Sequence, residues 1–494
     1  MNRRLKRRIF IFGPVLALLV FLFWPLGNRS WDIEADEAAQ DEKEALLAGQ
    51  QAAAQRQAAA GTNPAMRRGV PRIIIILADD LGPTDVGLYG SRWVPTPNID
   101  SIGREGVTFT DATCTTAICA PSRASMLTGR YQQRFGFELQ PHDRYARNRL
   151  EYLAFRYIID TDPMVPIAPG PVPRRSALDD QGIPAGEIML SELLRARGYE
   201  TAAFGKWHLG YDEQFSPLNR GFDQHYGFYE AFSLYAPVND PNIVNTPVDD
   251  FSDNHMWSRG RQGASAIVHN DEVVTEDEYL TFKFADLAVD YIERHADDSF
   301  FLYLPFSAPH TPLQAPQRYY ARLAQISDPV HRTYYAMIAA LDDAVGRVLR
   351  AVDDAGIADS TLVVFASDNG GVTYLGVTDN GELAGGKFST FQGGLAVPLM
   401  MRWPDKILPD AVFERPVSLM DVFATVEAAT RPRAEASLAN TGEREWDGVD
   451  LLPFVTGERE GNPHESLFWR SFYNHAVRSG PWKLIVQSAG SPGA

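Results

Sequence analysis

The stretch RIIIILADDLG, residues 72–82, decides the fold class of this chain. Its run from Arg72 to Ala78, apolar from Ile73 onward, is typical of a strand that is buried on both faces of a parallel sheet. The run ends in Asp79 and Asp80. Because ligands of open α/β sheets bind at the carboxyl ends of the strands, the stretch predicts a central strand that carries two carboxylates to a binding edge.

The segments that follow repeat this alternation of apolar strands and amphipathic helices. In chain order they are a helix over 187–198, strands over 199–205 and 300–307, a helix over 330–355 and a strand over 361–367. This order predicts an α/β fold, with a large, mixed, mostly parallel sheet and helices on both faces. Beyond residue 430, short strands and turns up to Val486 predict a small β-rich C-terminal subdomain.

Composition excludes one class of partner. The chain has 494 residues, 45% of them apolar, and its 46 basic and 63 acidic residues give a net charge of −17. A negative protein of this size can bury a core, but it repels polyanions at long range. We therefore expect no nucleic-acid partner, and any anionic substrate must be attracted locally by a pocket.

The N-terminus carries a predicted export signal. Five basic residues precede an uncharged apolar run from Ile9 to Leu26, which is long enough to span a bilayer. No small-residue cleavage site follows, so we interpret residues 1–31 as a signal anchor, with a cleaved signal peptide as the alternative. The body of the protein would then be exported, facing the periplasm if the organism is bacterial. Residues 32–70, rich in Ala, Gln and Glu, predict a stalk before a catalytic domain over 71–430 and a C-terminal subdomain over 431–494.

A second pair of polar residues follows another apolar strand. Asp368 and Asn369 come directly after the strand predicted over 361–367. Either this pair or the pair Asp79 and Asp80 could alone be a turn or a helix cap. Three carboxylates and one amide oxygen at two strand ends are instead the hard oxygen ligands that Ca²⁺, or alternatively Mg²⁺, prefers.

Four more side chains are predicted at the same edge. Lys206 and His208 follow the strand over 199–205, His310 lies in a proline-rich loop, and Lys387 lies in a glycine-rich loop. Each alone could be an ordinary structural or surface residue. Together with a cation they could hold a tetrahedral oxyanion and protonate a leaving group.

Cys119 is one of only two cysteines, the other being Cys114, so no disulfide framework is expected. It precedes Pro121 and a helix predicted from Ser122 to Gly129, a position that favours a thiolate nucleophile. A soft thiolate beside a hard cation is a mismatched pair. An oxygen nucleophile would suit this site better.

The motifs resemble those of formylglycine-dependent sulfatases, arylsulfatase-like members of the alkaline phosphatase superfamily. CAPSRASMLTG (119–129) is similar to the family's signature, and the resemblance extends from about residue 72 to 486. The other similar segments are IIIILADDLG (73–82), GYETAAFGKWHLG (198–210), NRGFDQHYGF (219–228), FFLYLPFSAPHTPLQAP (300–316), ALDDAVGRVL (340–349), FASDNGG (365–371) and GGKFSTFQGG (385–394).

The resemblance implies a role for each candidate residue. Cys119 would be converted to formylglycine, by a formylglycine-generating enzyme or an anaerobic maturase, and its hydrate would supply the oxygen nucleophile. The implied metal ligands are Asp79, Asp80, Asp368, Asn369 and residue 119. Arg123 would steady the hydrate, Lys206 and Lys387 would bind sulfate oxygens, His208 would contact the hydrate, and His310 would protonate the leaving alcohol.

The resemblance also implies the reaction. We expect a sulfuric ester hydrolase that acts on a small-molecule or oligosaccharide sulfate ester, because the segments 308–316 and 340–349 are most similar to the carbohydrate-directed branch that includes N-acetylgalactosamine 4-sulfatases. The alternatives are a phosphodiester or phosphonate monoester hydrolase of the same superfamily, and a binding protein with an unmodified Cys119. The family's C-terminal subdomain is normally longer, so we expect that this one is truncated.

Overall fold

The structure is a computed structural model. It describes residues 19, 21–22, 37–59, 70–141, 149–158, 181–248, 251–378, 380–431, 445–471 and 474–486. The predicted signal anchor, residues 1–31, lies outside this set except for Leu19, Phe21 and Leu22. In the ranges just given, no helix combines the length and apolar character needed to cross a membrane.

Strands form one large sheet and three small ones. They are β1 (Arg72–Ala78), β2 (Val107–Phe109), β3 (Ala112–Thr113), β4 (Glu200–Lys206), β5 (Gln224–Phe228), β6 (Ile243–Asn245), β7 (Val268–His269), β8 (Glu272–Val273), β9 (Phe300–Pro305), β10 (Gln314–Pro316), β11 (Thr361–Ser367), β12 (Leu399–Arg402), β13 (Ala411–Phe413), β14 (Val417–Ser418), β15 (Ser466–Ser471), β16 (Asn474–Ser479) and β17 (Trp482–Val486). The large sheet has ten strands in the order β13-β2-β12-β11-β1-β9-β4-β5-β7-β8.

The centre of the large sheet is parallel, as the sequence predicts. Strands β11, β1, β9, β4 and β5 run in one direction, and β12 and β7 pair antiparallel at either side. The apolar side chains of β1 alternate between two core clusters, with Ile74 and Ile76 on one face and Ile73 and Ile75 on the other. Both faces of β1 are therefore buried, which explains its unbroken apolar sequence.

Helices cover both faces of the sheet. They are α1 (Glu37–Ala59), α2 (Pro97–Arg104), α3 (Cys119–Thr128), α4 (Arg149–Tyr157), α5 (Leu190–Ala196), α6 (Phe251–Arg259), α7 (Leu280–Arg294), α8 (Gln317–Arg322), α9 (Pro329–Asp354), α10 (Gln392–Leu395), α11 (Asp421–Thr430) and α12 (Leu452–Val455). Apolar residues of α2, α7 and α9 pack in one core cluster, and those of α3, α5 and α11 pack in the other. This three-layer arrangement confirms the predicted fold class.

Helix α1 packs on the domain, although its sequence predicted a separate stalk. The ammonium of Lys43 is 2.6 Å from Glu192 in α5 and donates to the carbonyl of Ala185 at 2.8 Å. Gln50 accepts a hydrogen bond from Arg197 at 2.9 Å, and Ala53 is buried. The partly buried Leu46 and Leu47 also pack against the core, but the apolar residues of α1 form no regular stripe that would have predicted this docking from the sequence.

The C-terminal strands β15, β16 and β17 form an antiparallel sheet, which agrees with the predicted β-rich subdomain. Leu467, Trp469 and Ala476 on its inner face belong to the same core cluster as α3. The indole of Trp469 donates to the carbonyl of Cys114 at 2.8 Å. The small sheet is thereby attached to the segment that leads into α3.

Candidate active site

The two predicted acidic pairs meet at the carboxyl edge of the sheet. Parallel pairing places Ala78 opposite Ser367, so Asp79 and Asp80 leave β1 beside Asp368 and Asn369. The backbone N–H of Asp80 donates to Asp368 at 3.2 Å, and the Asn369 amide donates to Asp80 at 2.7 Å. All four side chains are buried. The structure therefore places these four side chains next to one another at one edge of the sheet.

Cys119 faces this group from the first turn of α3. The helix begins at Cys119, three residues before the predicted start, and Gly129 ends it with a left-handed φ of 67°. The Cys119 sulfur lies 3.8 Å from Asp80 Oδ1. Burial raises the pKa of the Cys119 thiol well above its ordinary value. The thiolate that a helix N-terminus suggests is thus disfavoured here, because burial outweighs the helix dipole and the nearby lysines.

Arg123, one turn further along α3, pairs with the acidic group. Its Nε donates to Asp368 at 2.8 Å, and its Nη1 donates to the carbonyl of Lys206 at 3.0 Å. Its Nη2 lies 3.4 Å from Asp79. The pKa of Asp368 is raised by burial and by Asp79, against the opposing charge of Arg123. Arg123 therefore links the ends of β1, β4 and β11.

Two lysines point into the same space. The ammonium of Lys206, at the end of β4, is 2.6 Å from Asp79, and that of Lys387 is 2.8 Å from Asp80. Burial alone would raise the pKa of Asp80, but Lys387 and His310 together lower it. Burial likewise opposes the charge of Lys387, yet Asp80 raises the pKa of the lysine well above its usual range. The predicted oxyanion-binding lysines are both present, each ion-paired with a carboxylate.

His310 contacts the acidic group from the loop after β9. Its Nε2 is 3.4 Å from Asp80 Oδ2, and its Nδ1 is 2.5 Å from the carbonyl of Thr311. A carbonyl oxygen has no proton to donate, so Nδ1 carries the proton of this hydrogen bond and Nε2 faces the site. Burial and the charge of Lys387 lower the pKa of His310, against Asp79 and Asp80.

His208 is completely buried beside these groups. Within the described ranges, neither of its ring nitrogens has a hydrogen-bond partner. Burial lowers the pKa of His208 well below its ordinary value, and the charges of Lys206 and Arg123 lower it further. Leaving both nitrogens of a buried imidazole unsatisfied costs free energy, and a hydrogen-bonding group bound beside His208 would remove that cost.

The backbone at the site adopts left-handed conformations. Asp80 has a φ of 64°, His208 a φ of 58° and Phe388, next to Lys387, a φ of 71°. Non-glycine residues rarely adopt these angles, which cost of order 1–3 kcal/mol each and cluster at functional sites. The left-handed φ of His208 also shows that the chain is no longer extended at this residue, two positions after Lys206 ends β4.

The side chains suit a divalent cation. One potential ligand atom from each of Asp79, Asp80, Cys119 and His310 lies within 4.8 Å of the others. In addition, Asn369 Oδ1 and Asp79 Oδ1 are buried without a hydrogen-bond partner in the part of the chain that the structure describes. This compact group contains His310, which the sequence did not propose as a ligand.

A further carboxylate near the site was not found by sequence reasoning. Asp85 is buried behind Asp80 and accepts hydrogen bonds from the hydroxyls of Tyr334 at 2.9 Å and Tyr335 at 3.0 Å. Thr378 donates to the same carboxylate at 3.0 Å. It therefore ties the loop after β1 to α9 and to the segment before Lys387. The contacts join residues 249 to 293 positions apart, so no local pattern indicated them.

The sequence of this chain is similar to those of known proteins. A family model described as Sulfatase matches residues 71–431. The chain belongs to the sulfatase family. Steryl-sulfatase from Mus musculus is 31% identical to this sulfatase, and the match covers 84% of this chain and 70% of the relative's length. N-acetylgalactosamine-6-sulfatase from Canis lupus familiaris is 32% identical over 81% of this chain and 68% of its own length.

Solved structures agree with the family assignment. The crystal structure of Ps i-CgsB superposes on this sulfatase with a TM-score of 0.67 and 30% identity, covering 84% of each chain. The phosphonate monoester hydrolase of Agrobacterium radiobacter has a TM-score of 0.51 and 20% identity, covering 85% of this chain and 90% of that one. The second comparison shows a shared fold alone. By family, the protein is a sulfuric ester hydrolase.

Proposed function

We propose that this sulfatase hydrolyses a sulfate monoester of a carbohydrate, with formylglycine derived from Cys119 and a divalent cation. The observation that supports the proposal is the position of Cys119, buried where carboxylates, two lysines and two histidines converge. A protonated thiol is a weak nucleophile, and burial raises the pKa of Cys119. The surroundings thus favour the modified residue over the free thiol.

Formylglycine, installed by a formylglycine-generating enzyme or an anaerobic maturase, supplies an aldehyde whose hydrate offers an oxygen nucleophile. Around it, Arg123 would hold residue 119 and the Asp368 carboxylate in one orientation, since it pairs with Asp368 from the same helix. His208 has buried ring nitrogens without partners in the described chain, so it would contact the oxygens of residue 119.

Asp79, Asp80, Asp368 and Asn369 would hold the cation together with residue 119. Oxygen ligands favour Ca²⁺, with Mg²⁺ as the alternative. The cation supplies positive charge that stabilises the sulfate oxygens. Lys206 and Lys387 would bind the remaining sulfate oxygens, because their ammonium groups already lie at the edge of this cluster.

His310 would give the proton to the leaving alcohol. The carbonyl of Thr311 holds the Nδ1 proton, so the transferred proton must be carried by Nε2. The pKa of His310 is lowered by burial, which makes the protonated ring a stronger acid.

Relatives support a carbohydrate substrate. The dog relative is named for N-acetylgalactosamine, and Ps i-CgsB was also crystallised in complex with k-i-k-neocarrahexaose, at 30% identity and a TM-score of 0.66. The mouse relative is named for steryl sulfate. Release of sulfate from sulfated oligosaccharides and from a steroid sulfate, measured in parallel, would decide between these classes. Faster turnover of the steroid ester would overturn the carbohydrate assignment.

Mass spectrometry tests the modification directly. In the tryptic peptide that spans Glu105 to Arg123, we expect loss of the sulfur at position 119 while Cys114 stays intact. Cys119→Ala should abolish turnover, whereas Cys114→Ala, the matched control, should keep it. An active enzyme whose peptide retains both sulfurs would contradict the mechanism. A protein without turnover whose peptide retains both sulfurs would instead favour the binding-protein alternative.

Paired esters of one alcohol test the reaction class. We expect 4-nitrophenyl sulfate to be hydrolysed faster than 4-nitrophenyl phosphate, and the opposite order would favour the phosphoester alternative. Export through a signal anchor at residues 1–31 is also part of the proposal. It predicts that the full-length chain stays in the membrane fraction after alkaline carbonate washing, while a chain that starts at residue 32 does not.

A further inference from the structure

Tyr235 is a buried tyrosine whose hydroxyl contacts the loop that carries His310. This hydroxyl lies 2.5 Å from the carbonyl oxygen of Ser307 and 2.8 Å from that of His310, so the two acceptors share its single proton. The side chain is 1% exposed, and its ring stacks on Tyr279 with centroids 5.6 Å apart. Packing therefore fixes the ring, and the ring fixes the hydroxyl relative to the loop.

The same loop is attached to the site at other points. The backbone N–H of Asp79 donates to the carbonyl of Ala308 at 3.1 Å, and the Thr311 carbonyl holds the His310 ring. His310 Nε2 ends 3.4 Å from Asp80. Tyr235 and Asp79 hold the backbone of residues 307–311 from other segments, and the Thr311 carbonyl holds the ring within the loop, so the orientation of the imidazole depends on each of these contacts.

We propose that Tyr235 is a positioning residue that aims His310 Nε2 at the leaving-group oxygen. Tyr235 contacts backbone carbonyls and not the reacting atoms, so it acts through His310. The inference rests on the proposed function, in which His310 protonates the leaving alcohol. Loss of the hydroxyl would leave the His310 carbonyl without this donor and would let the ring move. Proton transfer depends on donor geometry, and a small displacement of a positioned group lowers the rate.

Leaving-group dependence separates positioning from a general loss of structure. An acidic phenol leaves readily without protonation, whereas a less acidic one needs the acid. We expect Tyr235→Phe to lower kcat on phenyl sulfate about tenfold and on 4-nitrophenyl sulfate less than about twofold, with KM unchanged. An equal loss on both esters would overturn the proposal.

Tyr279→Phe is the matched control. Tyr279 stacks on Tyr235 and also loses a buried hydroxyl, but that hydroxyl donates to the carbonyl of Gln314 at 2.9 Å rather than to the His310 loop. We expect this variant to keep the wild-type ratio of the two rates. If it changes the ratio as Tyr235→Phe does, the effect belongs to the core and the proposal fails.

His310→Ala distinguishes failure of this inference from failure of the proposed function. If His310→Ala loses kcat equally on phenyl sulfate and on 4-nitrophenyl sulfate, relative to the wild type, the acid role of His310 is wrong. If His310→Ala loses more kcat on phenyl sulfate than on 4-nitrophenyl sulfate and Tyr235→Phe does not, only the positioning role of Tyr235 is wrong. Should Tyr235→Phe unfold at the assay temperature, the ratio is measured at 10 °C in trimethylamine N-oxide, which favours the folded state.

Discussion

Two buried clusters of charge in this sulfatase are built in opposite ways. Around Arg197, each guanidinium nitrogen has a partner. Nε donates to Gln50 at 2.9 Å, Nη1 to Thr430 at 2.8 Å and Nη2 to Glu427 at 2.6 Å. Arg431 also pairs with the Glu427 carboxylate. The hydrogen-bonding capacity of this structural cluster is used within the protein.

The catalytic-edge cluster is formed by Asp79, Asp80, Asp368, Arg123, Lys206 and Lys387 with their neighbours. Here Asp79 Oδ1, Asn369 Oδ1 and both ring nitrogens of His208 are buried and have no hydrogen-bond partner among the described residues. Arg123 Nη2 is also without an aligned acceptor there, although it lies 2.8 Å from Asp368.

The difference shows how the protein separates stability from chemistry. Burying a charge or polar group is costly unless hydrogen bonds and opposite charges compensate. The Arg197 cluster meets that condition and joins α1, α5 and α11. In the catalytic-edge cluster, some buried polar atoms have no such compensation within the described residues. These atoms are available to a cation, a modified residue and a substrate. The two clusters should therefore respond differently to perturbation.

Removal of the cation should have the largest effect. We expect dialysis against a chelator to lower kcat/KM at least about 10³-fold, because carboxylates would remain without the positive charge that orients the sulfate. Adding Ca²⁺ back should restore activity, and Mg²⁺ should be compared with it. An enzyme that keeps full activity after verified metal removal would contradict the assignment of the catalytic-edge cluster.

Breaking the Arg197 cluster should change stability without changing catalysis. Arg197→Met leaves Glu427 buried with Arg431 as its remaining cation, and we expect the free energy of unfolding to fall by about 3 kcal/mol. At a temperature where the variant is folded, kcat should equal that of the wild type. Arg123→Met is the comparison in the other cluster, and it should lose activity even where it remains folded. Loss of kcat in Arg197→Met would remove the distinction between the clusters.

Much of the catalytic edge could be predicted from the sequence because its signals are local. The runs 72–78 and 361–367 are strands with the predicted bounds, and parallel pairing alone brings Asp79 and Asp368 together. Lys387 was predicted from a glycine-rich loop, and the structure places its ammonium against Asp80. Chain topology thus turns short motifs into a three-dimensional site.

The remaining features depend on contacts between distant segments. Helix α1 docks through the polar Lys43 and Gln50 together with Leu46 and Leu47, and its apolar residues give no periodic signal. The high pKa of Cys119 follows from burial, which neighbouring sequence does not report. Tyr235 lies 75 residues before His310 and was not singled out. In each case the deciding quantity is burial or a long-range hydrogen bond.

The docking of α1 provides a test with a smaller expected effect, again at charges that are paired within the protein. Lys43→Met removes the ammonium that pairs with Glu192 at 2.6 Å, while Arg220 remains 3.0 Å from the same carboxylate. Because one cation is retained, we expect the free energy of unfolding to fall by only about 1–2 kcal/mol, with kcat unchanged. Glu44→Met, on the exposed side of α1, is the control and should be nearly neutral. An equal effect of both substitutions would argue against docking through Lys43.

His464 lies in another group whose charges are paired within the protein. Its replacement should have the smallest effect on the free energy of unfolding, and that effect should depend on pH. His464 Nε2 is 2.8 Å from the carboxylate of Asp421, which also accepts from the N–H groups of Ser418 and Val449. Burial opposes the charged ring, but Asp421, with Asp447 nearby, raises the pKa of His464. A raised pKa means that the folded state binds the proton more tightly than the unfolded state does.

The contribution of His464 to stability should therefore be complete below the unfolded pKa of about 6.5 and should be lost as pH rises through the folded pKa. We expect His464→Gln to lower the free energy of unfolding by about 1 kcal/mol more at pH 5.5 than at pH 9, as measured by urea denaturation. His475→Gln, which replaces the exposed histidine of β16, is the control. A greater loss of the free energy of unfolding at pH 9 would contradict this prediction. It would mean that the carboxylate of Asp421 does not hold the charged ring of His464.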